Sequence, residues 1–216
     1  MPYSYSSWST YNKCAAKYKY SYIDRIPGEA PSPQMARGTD LHDAVEKYLL
    51  GQLERMPKEL HKLNGMYMEQ IKASYDLYPE EKWAVDKKWE PVDFDDPNAF
   101  MRGVFDLRAE REGEIKIFEW KTGKMYDEHA DQSHLYATVA LTWYETQPKV
   151  PVDIRYLDFG TNKTETYSRD MYKMMKLRWR DRIKQIEKDK TFAPNPSYAC
   201  RWCAYSGQKG GPCPVG

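Results

Sequence analysis

Three residues in one short stretch carry groups that could act together on a phosphate ester: Asp106, Glu119 and Lys121. They fall in two segments, 102–110 and 114–121, that read as the strands of a β-hairpin. The segments meet at Glu112-Gly113, where glycine permits the positive φ that tight hairpin turns need. With a two-residue turn there, facing residues have numbers summing to 225, so Asp106 stands opposite Glu119. Opposed side chains have Cβ atoms about 4.5–5.5 Å apart, and like charges at that distance destabilise a sheet. A divalent cation shared by the two carboxylates relieves this, and Mg2+ takes oxygen ligands at about 2.0–2.1 Å. Strand alternation puts Ile115, Ile117, Glu119 and Lys121 on one face. The Lys121 ammonium then lies beside the metal, where it could orient a water and neutralise charge on a phosphoryl oxygen. The same residues can also be read as exposed hairpin side chains, with the carboxylates paired to Lys121 or Arg108.

Further residues form a pattern with these. Asp106 lies in GVFDLR and Glu119-Trp120-Lys121 in IFEWKTG; upstream, RGTDLH sets Gly38 four residues before His42; downstream, Gln132 stands four residues before Tyr136. In this order the set resembles the PD-(D/E)xK nuclease superfamily, in its RecB-like exonuclease branch. The departure is at the first motif, where Val104-Phe105 precede Asp106 and no proline is present. The resemblance implies a restriction-endonuclease-like α/β core, a central mixed sheet flanked by helices. It implies a metal-dependent deoxyribonuclease, an exonuclease on linear or single-stranded DNA in replication, recombination or repair. Asp106, Glu119, Lys121, Gln132 and Tyr136 would be its catalytic set, and His42, Asp106, Glu119 and Trp120 would hold Mg2+ or Mn2+. The His42 nitrogen suits Mn2+ better. Glu46, one helical turn on, could hold the His42 ring or a metal-bound water. A spacer-processing CRISPR-associated nuclease shares this chemistry, and a non-catalytic DNA-binding module shares the frame. Outside the resemblance, His42 and Glu46 read as ordinary helix residues, and Gln132 and Tyr136 as helix residues packing on the sheet. His129 and His134 read as bystanders.

The four cysteines form a second group. Cys200 and Cys203 make a CxxC, Cys213 follows after nine residues, and Cys14 lies near the N-terminus. In a reducing compartment such cysteines bind metal more readily than they form disulfides. Four thiolates suit an iron–sulfur cluster or zinc, and free thiols are the third reading. The resemblance favours a [4Fe–4S] cluster held by one early and three late cysteines, although the spacing before Cys213 is longer than that pattern. Either metal would staple segments 1–26 and 191–216 and remove unfolded-state entropy.

The elements that must position these groups follow from periodicity. A loop covers 27–35. A helix starts at Thr39 as cap and ends at Gly51, with Leu41, Ala44, Val45, Tyr48 and Leu49 apolar. A second helix covers about 58–77 and a strand 83–90. After the hairpin come a helix over 128–146, a strand pair 152–159 and 164–168 turning at Asn162-Lys163, and a helix over 169–190 with Met171, Met175, Trp179, Ile183 and Ile186 on one face. The tail from 191 reads as irregular. The whole chain, 1–216, is expected to be one nuclease domain with its core at about 36–168.

Bulk composition agrees with an ordinary globular protein: 41% apolar and 30% charged residues in 216. The net charge of +1 is low for a nucleic-acid binder, but 169–190 holds nine Lys/Arg against four Asp/Glu. Eighteen Tyr and seven Trp supply rings that could stack on bases. No apolar run suits a bilayer, and MPYSYSSWSTYNKC lacks signal-peptide character. The expected setting is cytoplasmic. The expected partner is DNA, with replication, recombination or CRISPR-adaptation proteins as candidates; the oligomeric state is not fixed by the sequence.

Overall fold

The structure, a computed structural model, describes residues 2–28, 30, 32–60, 62 and 65–215. They divide into two compact units, one of Pro2 and Pro33–Leu177, the other of Tyr3–Ser32 and Arg178–Gly216.

The first unit is built on a six-stranded sheet in the order β2-β1-β3-β4-β5-β6. Its strands are β1 (Asp76–Val85), β2 (Pro91–Val92), β3 (Met101–Arg111), β4 (Glu114–Lys121), β5 (Lys149–Tyr156) and β6 (Thr161–Ser168). All neighbours are antiparallel except β4 and β5. A parallel pair needs a crossover, and helix α5 (His129–Trp143) supplies it. The turn between β3 and β4 is the expected one. Glu112 and Gly113 both take positive φ, 52° and 79°, as a type I′ turn requires, and Arg111 pairs with Glu114.

Helices α3 (Pro33–Leu49) and α4 (Gly65–Ser74) cover one face of the sheet. Leu41, Val45, Tyr48, Met68 and Ile71 bury themselves there against Leu107, Ala109, Phe118 and Trp120. Alternation along β4 sends Glu119 to the opposite face, under α5. Helix α5 is buried nearly all round, from Gln132 to Thr142.

Several boundaries differ from expectation. Helix α3 begins at Pro33, since proline fits the first helical turn. Thr39 is inside it, its hydroxyl donating to the Met35 carbonyl at 3.3 Å. The stretch 58–77 divides into a 3₁₀ turn (Lys58–Leu60), α4 and the start of β1. Asn162 and Lys163 are paired strand residues opposite Arg155 and Ile154. The β5–β6 connection is 157–160, where Gly160 takes φ 66°.

The second unit joins both ends of the sequence. Helix α1 (Tyr5–Lys13) starts with a capping box in which Ser4 and Ser7 exchange side-chain-to-backbone hydrogen bonds. A short α2 (Ala15–Tyr18) and a π-helical turn (Lys19–Ile23) follow. They pack by aromatic contacts on residues from Trp179 onward. Trp8 meets Trp179 edge-on at 5.0 Å, Tyr18 stacks on Phe192, and Tyr20 lies against Tyr205. The Tyr11 hydroxyl donates to Asp189 at 2.9 Å. Helix α6 (Tyr172–Lys188), whose residues up to Leu177 belong to the first unit, buries Met175, Trp179, Ile183 and Ile186, as its period requires, whereas Met171 is exposed in the 3₁₀ turn before it. The tail contains 3₁₀ turns at Tyr198–Trp202 and Gly207–Lys209. Among the described residues no helix is long and apolar enough to cross a membrane.

Candidate active site

The hairpin brings Asp106 and Glu119 to facing positions, and the strands part there. The last paired residues are Leu107 and Phe118. Beyond them the Asp106 carboxylate, not a backbone carbonyl, accepts the Trp120 N–H at 2.7 Å. Trp120 therefore joins the site through its backbone alone, while its indole stacks on Phe118 in the core under α3 and α4.

Glu119 is 3% exposed. One carboxylate oxygen accepts from Lys121 Nζ at 2.6 Å and from Gln132 Nε2 at 2.7 Å. The other, Oε2, is buried with no hydrogen-bond partner among the described residues. Burial, then the neighbouring Asp106 charge, pushes the Glu119 carboxyl up to about 7. Burial acts against the Lys121 ammonium, but Glu119 outweighs it and raises Lys121. Arg108, the other expected counter-ion, is engaged elsewhere, with Glu81 at 2.8 Å and Glu110 at 2.7 Å.

Helix α3 brings His42 to within 3.5 Å of Asp106. Burial lowers the imidazole's proton affinity, and the bond to Asp106 together with the Asp106 and Glu119 charges more than restores it, so the net shift is upward. One turn earlier, a Cβ on Gly38 would lie 3.3 Å from the Thr122 hydroxyl, just beyond Lys121. The small residue lets this helix approach the end of β4 closely. Asp158 fixes the same junction: it accepts from both Arg37 terminal nitrogens, at 2.5 and 3.1 Å, and from the Gly123 N–H at 3.0 Å.

Gln132 and Tyr136 are also at the site, but buried rather than open to a substrate. Gln132 donates to Tyr136 at 2.9 Å as well as to Glu119, and Tyr136 donates to the Val104 carbonyl at 3.0 Å. Burial, then the Glu119 and Asp106 charges, raises the Tyr136 phenol well above its ordinary value. Gln132 thus holds one Glu119 oxygen, and Tyr136 is linked to it through Gln132. The charge of Glu46, one turn on from His42, bears on Glu80. His129 pairs with the Tyr156 hydroxyl at 2.9 Å, away from the carboxylates.

Glu80 is the residue that sequence reasoning missed. It faces Asp106 across the β1–β3 register, in the gap between Pro79↔Leu107 and Glu81↔Phe105. It holds φ 49°, a left-handed conformation costly for a residue with a side chain. Burial, then Asp106 and Glu46, raises its carboxyl. The available signal was Pro79, since a proline inside a strand marks a break in the ladder.

The cysteines belong to the second unit, and all four are free thiols lining one small cavity with Lys17, Tyr20 and Asn195. Backbone N–H groups of Asn195 and Ser197 point at Cys14 and Cys200 sulfurs, each at 3.4 Å. Cys213 is held by the Tyr205 carbonyl at 2.9 Å and by a bridge to Ser206. Among the described residues no three His, Cys, Asp or Glu side chains stand ready-arranged around a metal position, here or at the carboxylates.

A mixed sheet flanked by helices, with an aspartate, a glutamate and a lysine converging on one hairpin, is a nuclease framework. The family model described as the PD-(D/E)XK nuclease superfamily matches residues 2–208, and the chain belongs to that superfamily. The solved structures similar to the chain include three. A putative exonuclease from Eubacterium rectale has a TM-score of 0.51 at 10% identity, over 87% of this chain and 80% of that one. SSO0001 gives 0.47 at 15% identity, over 96% and 85%. LHK-Exo in complex with dAMP gives 0.44 at 10% identity, over 86% and 88%. No curated protein matches the sequence.

Proposed function

We propose that this chain is a metal-dependent DNA exonuclease of the RecB-like branch. The single observation that carries the reading is the Glu119 carboxylate: buried, opposed to Asp106, and left with one oxygen unpartnered. A buried carboxylate oxygen without a donor is costly, and a divalent cation is the partner this donor set suits. Mg2+ or Mn2+, the ions generally used in this superfamily, would be held by Asp106 and Glu119 with His42, and Glu80 is placed to join them. Bound there, the ion would supply Lewis acidity and a more acidic water. The chain's own groups do the rest. Lys121 neutralises charge gathering on a phosphoryl oxygen, Gln132 and Tyr136 keep Glu119 in place, and the Trp120 N–H fixes Asp106. DNA as substrate and attack from an end are supported by the four-motif pattern and, for the latter, by the fold shared with a putative exonuclease.

The same reading takes Cys14, Cys200, Cys203 and Cys213 as the ligands of a structural [4Fe–4S] cluster, with zinc as the alternative. Supporting it are the four sulfurs around one cavity and the amides directed at two of them.

The test is cleavage of end-labelled linear DNA, single- and double-stranded, with Mn2+, Mg2+ or chelator. Activity with either metal, lost in chelator and in Asp106→Ala, is expected. Full activity in chelator would overturn the metal reading, and no cleavage of any DNA under any of these conditions would overturn the nuclease reading.

A further inference from the structure

We propose that the unit formed from the two ends of the sequence carries a stacking platform for unpaired bases of single-stranded DNA, made by Tyr198 and Trp202 with Arg201. The proposal rests on the nuclease reading for the identity of the polymer, and on the following geometry for the site.

In a 3₁₀ turn, side chains three apart lie above one another. Along Tyr198–Trp202 this separates two faces. Cys200 and Cys203 turn into the cysteine cavity. Tyr198 and Arg201 share the other side, the guanidinium 4.5 Å from the Tyr198 ring centre. Trp202 adds a second ring, 4.8 Å from Tyr198 at an interplanar angle of 72°. Both rings are open to water, Tyr198 66% exposed and Trp202 62%. Trp8, Trp83, Trp89, Trp120 and Trp179 are buried and Trp143 partly so, which makes Trp202 the exposed tryptophan of the seven. Two large rings held in water on an anchored turn suit a flat apolar ligand.

Charge identifies that ligand's polymer. The unit's two segments hold twelve Lys/Arg against five Asp/Glu, a net +7. The rest of the chain holds the remaining twenty-one against twenty-seven, a net −6. A polyanion is attracted to the unit formed from the two ends. Flat faces on a polyanion describe single-stranded nucleic acid: duplex DNA offers the phosphates but hides its base faces inside the stack. Arg201 adds a cation to the platform, favourable both to phosphate and to a π-face.

The test is binding of short oligothymidylate, the same strand with abasic sites, and a blunt duplex, by fluorescence anisotropy in chelator so that nothing is cleaved. Trp202→Ala and Tyr198→Ala should each weaken oligothymidylate on the order of tenfold, with little effect on the abasic strand or the duplex. Trp202→Phe should restore most of the loss. In the wild type, oligothymidylate should protect tryptophan emission from acrylamide, a protection absent in Trp202→Ala. Equal losses on normal and abasic strands, no loss at all, or self-association that Trp202→Ala abolishes would each overturn the platform. The two readings fail separately. A wild type that binds oligothymidylate through these rings yet cleaves no DNA sinks only the nuclease. An active nuclease whose Trp202→Ala binds as the wild type sinks only the platform.

Discussion

Replacing Glu119 by glutamine keeps the side chain's shape and the oxygen that Lys121 and Gln132 use, and removes its charge. Burial beside Asp106 moves this carboxyl from an ordinary 4.5 to about 7. A gap of about 2.5 units, at about 1.36 kcal/mol each, corresponds to about 3 kcal/mol. Because the folded-state value is raised, the native protein holds this proton more tightly than the unfolded chain does. Wild-type stability should therefore fall as pH rises from about 4.5 to about 7, the range between the two values. Urea denaturation in chelator at pH 4 and pH 8 reads the effect. The wild type should lose about 3 kcal/mol relative to Glu119→Gln between those pH values, and comparing the two changes cancels any fixed cost of the substitution. At pH 8, Mn2+ should stabilise the wild type and leave the variant nearly unaffected. Parallel pH profiles for the two proteins in chelator would refute the reasoning, because the buried charge would then cost nothing.

Lys121→Ala should slow cleavage on the order of a hundredfold or more while DNA affinity stays within a few-fold, since its role is with charge that develops in the transition state; single-turnover rates and anisotropy separate the two, and an equal loss of affinity would make it a phosphate-binding residue instead. Anaerobically purified protein should contain iron and acid-labile sulfide, and Cys14→Ser should lose both together with thermal stability. Stoichiometric zinc without sulfide would replace the cluster by a zinc staple, and a protein equally stable with all four cysteines replaced would remove the staple.

The site was legible wherever local chemistry fixes geometry. Glu112-Gly113 dictates a two-residue turn, and that turn alone sets Asp106 opposite Glu119. Gln132 and Tyr136, one turn apart on a helix, had to share a face, although only packing reveals that the face is buried, with Gln132 against Glu119. The sequence was silent where tertiary structure decides. Asn162-Lys163 has turn chemistry, but β6 pairs through it because the left-handed conformation falls at Gly160. Thr39 is a good cap, yet Pro33 opens the helix two turns earlier, which carries Arg37 to Asp158. Pro79 marks a break in β1, but that Glu80 faces Asp106 appears only once β1 is paired with β3. The N-terminal helices escaped notice because their cap is Ser4 with Ser7, without the glutamate that marks the usual capping box.

The split composition of the second unit has a consequence in time. During synthesis, every element of the sheet is available once Leu177 has been made. Tyr3–Ser32, made before the sheet, has to wait. The rings that cover Trp8, Tyr18 and Tyr20 are Trp179, Phe192 and Tyr205, made after the sheet. For the whole of that interval a tyrosine-rich segment has its apolar faces uncovered, while chains grow at about 5–20 residues per second. This segment is therefore made before the sheet and can be covered only after it. Its bare interval, lasting several seconds or more, is when a chaperone would meet this chain and when neighbouring nascent copies would be most prone to stick.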